Sequence, residues 1–155
     1  MIAAARYTRI LWTSTPPDGA SILTLAQAID GDLEQWWSTR VERHANGFTV
    51  RFNNSHARFE KDDGNTDLTF GWTCTDAHMI IEDIPDAAEW TGTQLLWSVT
   101  PTKTGSAITL THRGLTPEIA CFDICQRGWQ HFFETSLHNH LNGQPAHPET
   151  SQPVG

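Results

Sequence analysis

Few side chains in this sequence have the type and spacing that catalysis needs, and His112 is the strongest candidate. It alternates with Ile108 and Leu110 along one face of a predicted strand. Its imidazole could therefore enter a cavity as a general acid–base, or as a polar handle for a ligand hydroxyl or carbonyl. Catalysis normally needs a second polar group nearby, and the sequence places none beside His112. We favour a structural histidine, hydrogen-bonded near the turn at Gly114, and predict no catalytic residue.

Metal-ligating residue types occur twice on the predicted last helix. Cys121 and Cys125 lie one turn apart, but structural zinc sites use four ligands, usually with Cys-x-x-Cys spacing, so two buried thiols are the simpler interpretation. His131, Glu134 and His138 share the polar face, where solvated charge is the default. We therefore predict no metal site. The sequence also lacks a phosphate loop, a nucleophile elbow and paired carboxylates, so we predict no cofactor.

Aromatic side chains are the other unusual feature, with seven Trp in 155 residues. Such side chains either fill a core or wall a concave site. Adjacent Trp36 and Trp37 point about 100° apart on a helix, so we expect one to anchor in the core and the other to serve a different purpose. Six further aromatics are candidates for cavity walls: Phe70, Trp72, Trp97, Phe122, Trp129 and Phe133.

A long C-terminal helix must position several of these side chains. We predict it from Thr116 to Gly143, because Thr116 can cap the N-terminus, Pro117 suits the first turn and Gly143 suits the end. Its apolar residues recur every three or four positions and form one stripe: Phe122, Cys125, Trp129, Phe133, Leu137 and Leu141.

The rest of the chain predicts the surface on which that stripe packs. Residues 5–13 are rich in β-formers, residues 20–29 and 32–37 have helical spacing, and residues 41–113 alternate between apolar and polar with short turns. This pattern indicates a curved antiparallel meander with one buried face. The expected fold class is α+β, with one strand, two short helices, about six more strands and the long helix. A long helix touches a curved sheet along a line, so the space beside it is either filled by large side chains or left as a cavity.

Two local expectations follow from these patterns. The alternation predicts that Trp72 and Trp97 both face the long helix, because a one-residue slip would turn every side chain of a strand to the other face. Gly128 lies within the helix, where Gly costs about 1 kcal/mol relative to Ala. We therefore expect close approach of a bulky neighbour, such as Trp37 or Trp97, at Gly128.

Composition excludes several classes of function. The net charge of −8 and the lack of a basic stripe argue against nucleic acid and against an anionic membrane surface. No apolar run approaches the ~20 residues that span a bilayer, so stable membrane insertion is not expected. Three cysteines and no signal peptide favour a cytoplasmic protein. We predict one domain over residues 1–143 and a flexible tail over residues 144–155.

Several motifs together resemble the START-like SRPBCC superfamily. They comprise Glu89-Trp90-Thr91-Gly92-Thr93, then Thr111-His112-Arg113-Gly114-Leu115-Thr116-Pro117, Cys121, Gly128-Trp129, Ser136-Leu137 and the earlier Trp36-Trp37 pair. Within the superfamily, the sequence is most similar to the branch that resembles activators of the heat-shock-protein-90 ATPase. The resemblance covers roughly residues 25–143. It implies a helix-grip fold with a hydrophobic pocket between the sheet and the long helix, and ligand binding more often than a fixed reaction.

Two features depart from that branch. The branch usually has an aromatic residue where this chain has Ala26, and a missing ring could enlarge or reshape one end of the pocket. The stretch from Pro16 to Thr24 also looks longer than usual, which affects the alignment of the first helix.

The resulting hypothesis is a carrier, sensor or accessory protein, a monomer or homodimer, that binds a small hydrophobic or aromatic molecule. A non-enzymatic role is preferred. The predicted ligand-binding residues are Trp37, Phe70, Trp72, Trp97, His112, Phe122, Cys125, Trp129 and Phe133. One alternative is a cyclase- or aromatase-type enzyme in which His112 moves protons. The last is a co-chaperone that acts through its outer surface, ranked lower because such proteins resemble a longer chain with an additional N-terminal domain.

Overall fold

The computed structural model describes residues 7–81 and 83–152. Residues 5 and 6 of the predicted first strand, and both ends of the chain, lie outside the described residues. The elements are β1 (Tyr7–Thr13), α1 (Gly19–Gly31), α2 (Leu33–Trp36), β2 (Arg40–His44), β3 (Gly47–Phe52), β4 (Ser55–Lys61), β5 (Thr69–His78), β6 (Gln94–Pro101), β7 (Ser106–Arg113), α3 (Phe122–Trp129), a π-helical segment (Gln130–Leu137) and α4 (His138–Leu141).

The seven strands form one antiparallel sheet in the order β1-β7-β6-β5-β4-β3-β2. Strands β2 to β7 are a meander, and β1 pairs with β7 because α1 and α2 carry the chain across to the opposite edge. The long helix packs on the concave face of this curved sheet. The predicted α+β helix-grip architecture, with two short helices after the first strand, is therefore confirmed.

The C-terminal helix, residues 122–141, runs through α3, the π-helical segment and α4 without a break. Its predicted apolar stripe is confirmed: Cys125, Trp129, Phe133 and Leu137 are buried, and the end residues of the stripe are half-buried. Ser136 is also buried, and its hydroxyl donates to the carbonyl oxygen of Trp36 at 2.7 Å. The helix is thus attached to the α2 region by a polar contact as well as by packing.

The predicted start of this helix at Thr116 is wrong. Residues 116–121 form turns, in which the N–H of Ile119 donates to the carbonyl of Thr116, and the helix begins at Phe122. The carboxylate of Glu89 accepts from the backbone N–H groups of Ala120 and Cys121 at 2.8 and 3.1 Å. A carboxylate from a distant loop therefore satisfies N–H groups next to the helix start, and the local capping signal does not decide the boundary.

The register expected for β5 and β6 is confirmed. Trp72 and Trp97 are both 1% exposed, and the ring of Trp97 packs edge-on against Phe133 of the C-terminal helix at 5.8 Å. The rings of Trp72 and Trp97 lie 5.3 Å apart. These aromatics fill the space beneath the second half of the helix, so this part of the interface has a closely packed core.

Residues 144–152, assigned by sequence to the tail, lie along the loop that follows α2. The N–H of Glu149 donates to the carbonyl of Trp37, and the carbonyl of Glu149 accepts from the N–H of Thr39. Farther along, the hydroxyl of Ser151 accepts from the N–H of Asn53. The flexibility of the tail stays a prediction, but these contacts place Glu149 beside the helix–sheet interface.

Candidate ligand-binding cavity

A cavity of about 230 Å³ lies beside the first half of the C-terminal helix. It is bounded by α3, the turn between β3 and β4, the segment after β5, the loop before β6 and the C-terminal tail. The residues that line it are Trp37, Phe52, Asn53, Ser55, Met79, Ile80, Ile81, Trp90, Ile124, Cys125, Gly128, Trp129, Phe132 and Glu149. Two of these, Ile80 and Ile124, are 58% and 39% exposed. The cavity therefore opens to solvent through an apolar mouth.

The inner wall of the cavity consists of three tryptophans. The rings of Trp90 and Trp129 are nearly parallel, at 12° and 6.0 Å between centroids. Trp37 lies 5.2 Å from Trp129 and is stacked from behind by Trp36, which is itself fully buried. The two adjacent tryptophans thus have different roles: Trp36 anchors in the core, and Trp37 presents a wall to the cavity.

Two phenylalanines extend this wall towards the turn between β3 and β4. Phe52 lies 6.1 Å from Trp37 and 6.2 Å from Phe132, between ring centroids. Flat aromatic faces in such an arrangement suit an aromatic or otherwise planar apolar ligand.

His112 lies behind the cavity wall and is fully buried. The indole N–H of Trp129 donates to its Nδ1 at 2.9 Å, and its Nε2 is 2.9 Å from the hydroxyl of Thr93. The Thr93 hydroxyl donates to the carbonyl oxygen of Trp90 at 2.7 Å. His112 also packs edge-on against the ring of Trp90, with 4.8 Å between centroids.

These partners determine the tautomer of His112. An indole N–H can only donate, so Nδ1 must be the unprotonated nitrogen. Thr93 uses its own proton on Trp90, so Nε2 must carry a hydrogen and donate to the Thr93 oxygen. Burial lowers the pKa of His112 from its ordinary value of 6.5 to about 3. The imidazole is therefore neutral with both nitrogens satisfied, which indicates the structural role that the sequence favoured over proton transfer.

Cys121, directly before α3, and Cys125, within α3, form a pair next to the wall. Both are buried and free, and the thiol of Cys125 is directed at the sulfur of Cys121. The indole N–H of Trp90 donates to the sulfur of Cys125 at 3.2 Å. The hydrogen bond to Cys121, together with burial, raises the pKa of Cys125. Within residues 7–81 and 83–152, no group of three or more His, Cys, Asp or Glu side chains is placed to hold a metal ion.

The predicted ligand-binding residues separate into several locations. Trp37, Cys125 and Trp129 line the cavity. His112 supports it from behind, and three residues belong to the core: Trp97, Phe133 and Trp72, of which Trp72 also borders a second cavity. Phe122 is half-buried against the core and lines neither of the two cavities described here.

A second cavity of about 270 Å³ lies at the far end of the interface, between α1 and the start of β5. Phe70 and Trp72 contribute to its lining, and so does Ala26, where the related branch usually has a ring. Asp30, Lys61 and Asp67 also line it, so this second cavity is much more polar than the first.

Sequence reasoning missed most of the apolar lining of the first cavity. Phe52 continues the alternation of Phe48 and Val50 within β3, and continuing the alternation of β5 past its end reaches Ile80, but no periodic pattern identifies Met79 and Ile81. The motif at residues 89–93 contains Trp90 but does not predict its place in the cavity wall. Ile124 and Phe132 each precede a residue of the predicted apolar stripe, so the stripe predicts Cys125 and Phe133 and does not include these two.

The prediction for Gly128 is wrong. A Cβ built at this position would meet nothing within 4 Å, and Gly128 lines the cavity. The residue is small because it borders empty space, and no bulky neighbour approaches it. Glycine here keeps the side of the helix open between Ile124 and Phe132.

Comparisons with known proteins concern the fold. No protein-family model matches the sequence, and no curated protein matches it significantly. Among solved structures, the Aha1 dimer from Colwellia psychrerythraea is 18% identical with a TM-score of 0.65, over 88% of this chain and 96% of that chain. DynU16, from the dynemicin biosynthetic locus, is 15% identical with a TM-score of 0.61, over 93% of this chain and 50% of that chain. Ara h 8.0201 is 14% identical with a TM-score of 0.53, over 92% of this chain and all of that chain.

Identities this low establish architecture and leave the ligand open. In the described part of the chain, no helix is long and apolar enough to cross a membrane. The strand order, the gripped C-terminal helix and these structural likenesses agree with one another. The predicted resemblance is thus confirmed at the level of the fold: this protein has a START-like helix-grip fold.

Proposed function

We propose that the protein binds a small hydrophobic or aromatic molecule in the cavity beside α3, as a carrier, sensor or accessory protein. The observation that carries this proposal is a cavity of about 230 Å³ walled by five aromatic rings, whereas the second cavity at the far end of the interface is lined by Asp30, Lys61 and Asp67. Aromatic and aliphatic walls with a few polar groups are typical of small-molecule sites.

The support behind the wall strengthens the proposal. Trp129 is held by its hydrogen bond to His112, and Trp90 by its bond to Cys125. Side chains that are already ordered lose little conformational entropy when a ligand arrives. A wall that is rigid before binding therefore favours recognition of one ligand shape.

A non-enzymatic role is preferred for a chemical reason. A proton carrier must change its protonation state and reach the substrate, whereas His112 is buried, neutral and bonded through both nitrogens. A cyclase- or aromatase-type enzyme would need another acid or base, and Glu149 is the only carboxylate among the described lining residues. The co-chaperone alternative, the oligomeric state and the cytoplasmic location stay predictions.

Binding of 1-N-phenylnaphthylamine, a fluorescent probe that is uncharged at neutral pH, tests the proposal. We expect micromolar affinity, about −8 kcal/mol, with quenching of tryptophan emission. Gly128→Leu should abolish most of this binding, because the new side chain would extend into the cavity. Gly31→Leu is the matched control, since Gly31 is also a helical glycine with nothing within 4 Å and lies outside the cavity lining. A folded wild-type protein that binds no probe would overturn the proposal.

A further inference from the structure

The charges around the cavity restrict the class of ligand further than its apolar walls do. Among the described lining residues, Glu149 is the only charged side chain, and no Lys, Arg or His is present. The remaining polar lining residues, Asn53 and Ser55, are uncharged. A ligand carboxylate, sulfate or phosphate would therefore lose its hydration next to a negative charge and gain no cation in return.

The aromatic walls of the cavity also favour a cationic ligand over an anionic one. The face of an aromatic ring is the negative end of its quadrupole, and Trp attracts cations most strongly. Trp37, Trp90 and Trp129 line the cavity, are 1%, 6% and 2% exposed, and have rings 5.2 to 6.0 Å apart in successive pairs. A cation near these faces gains an electrostatic attraction that an anion does not.

Glu149 is held at the cavity by its backbone. Its N–H and carbonyl are bonded to the segment after α2, and its Oε1 accepts from the N–H of Ser151 at 3.0 Å. In the part of the chain that the structure describes, no Lys, Arg or His forms an ion pair with this carboxylate. The guanidinium of Arg40 donates instead to the carbonyl oxygens of Asn53 and Ser151. A carboxylate has about four acceptor positions, so it can take further hydrogen bonds from a ligand.

We infer that the ligand is an organic ammonium: an aromatic or apolar body within the tryptophan wall, carrying a protonated amine that pairs with Glu149. This inference rests on the proposed binding function and adds the ligand's charge to it. A ligand ammonium would give Glu149 a positively charged partner. The ammonium would then lie at the edge of the tryptophan wall. The net charge of −8 for the whole chain also attracts a cationic ligand at long range.

Three probes that share one ring system separate charge from shape. They are 2-(1-naphthyl)ethylamine, 2-(1-naphthyl)ethanol and 1-naphthylacetate, measured by titration calorimetry at neutral pH and low salt. We expect the amine to bind about tenfold more tightly than the alcohol, within the range of a partly desolvated cation–π contact plus an ion pair, and the carboxylate to bind most weakly. The advantage of the amine should shrink as salt is added.

Glu149→Gln then tests the named partner. The amide oxygen of glutamine can still accept from the N–H of Ser151, so the tail should keep its position while the charge is lost. We expect the amine to lose most of its advantage and the alcohol to bind as before. Glu118→Gln is the matched control, because it removes the same charge from an exposed residue outside the cavity lining.

Each outcome has one meaning. If the alcohol binds and the carboxylate binds as tightly as the amine, the ammonium inference is overturned while the proposed function survives. If Glu149→Gln and Glu118→Gln weaken the amine equally, Glu149 is not its partner and the inference is likewise overturned. If none of the three probes binds to the folded protein, the proposed function itself fails.

Discussion

The two halves of the C-terminal helix rest on different surfaces, although both are rich in tryptophan. Beneath Phe133, the rings of Trp36, Trp72 and Trp97 pack at 5.3 to 6.1 Å in successive contacts and exclude solvent. Beneath Gly128, Trp37, Trp90 and Trp129 are also buried, at 1%, 6% and 2% exposed, but they border the cavity. Residue type alone therefore does not distinguish core from cavity in this protein.

The difference lies in what faces the rings. In the filled half, side chains from α2, β5, β6 and the helix interdigitate. In the hollow half, Gly128 on the helix and the segment after β5 leave an open space at the border of the ring cluster, although Trp37 itself contacts five other rings. Unfilled apolar space forfeits dispersion contacts, so such a cavity costs stability unless a ligand occupies it.

A substitution that disrupts packing in the filled half should have the largest effect on stability. Trp97→Ala removes a 1%-exposed ring that contacts Phe133, and we expect it to lower the free energy of unfolding by about 3–5 kcal/mol. Urea denaturation followed by circular dichroism measures this loss. Trp12→Ala is the control, since Trp12 is 62% exposed and should change stability by less than about 0.5 kcal/mol. Equal effects of the two variants would contradict the filled-half description.

Acid should lower the stability of the protein, because His112, behind the hollow half, is buried in its neutral form. The pKa of His112 is lowered to about 3 in the folded state, so between about pH 6.5 and pH 3 the unfolded chain binds the extra proton. Stability should therefore fall as the pH drops through this range, by about 2 kcal/mol between pH 6.5 and 5.

The variant His112→Gln identifies the residue responsible for this slope. Its stability should depend less steeply on pH between 6.5 and 5, as measured by urea titrations at each pH. At pH 8 the histidine is neutral in both states, so a comparison there reports only the packing and hydrogen-bond cost of the substitution. An unchanged slope in the variant would show that other groups produce the acid sensitivity.

Two of the three cavity tryptophans, Trp129 and Trp90, should differ in how much stability their indole N–H groups contribute. Trp129→Phe keeps an aromatic wall but leaves Nδ1 of buried His112 without a donor, at a cost of about 1–3 kcal/mol. Trp90→Phe loses only a bond to the sulfur of Cys125, a weak acceptor, and should cost less. Thermal denaturation of both variants tests this order, and a larger loss for Trp90→Phe would contradict it.

The smallest expected effect is an increase in stability. Gly128→Ala adds a methyl group that meets nothing within 4 Å and restores helix propensity, so we expect stability to rise by about 0.5–1 kcal/mol. Gly47→Ala is the contrasting variant, because its Cβ would collide with the backbone carbonyl of Phe59 in the neighbouring strand, and it should destabilise the protein. A loss of stability in Gly128→Ala would mean that the helix side of the cavity is not open.

Much of the fold follows from patterns that are local in sequence. Alternation at Trp72 and Trp97 sets which face of each strand is buried, and the three-to-four spacing of Cys125, Trp129 and Phe133 sets the inner face of the helix. These patterns are periodic and need no knowledge of a partner, because a strand or helix turns its side chains at a constant interval. The seven-stranded helix-grip architecture was predictable for the same reason.

The helix start and the cavity depended on residues that are distant in sequence. Glu89 satisfies N–H groups more than thirty positions away and overrides the capping signal at Thr116. The hollow beside Gly128 exists because Trp37, Ile80 and Glu149, from three separate segments, do not meet across it. Sequence alone determined which side chains face inward. Only the tertiary structure decided where they fail to fill the space, because that depends on distances between segments that no local periodicity encodes.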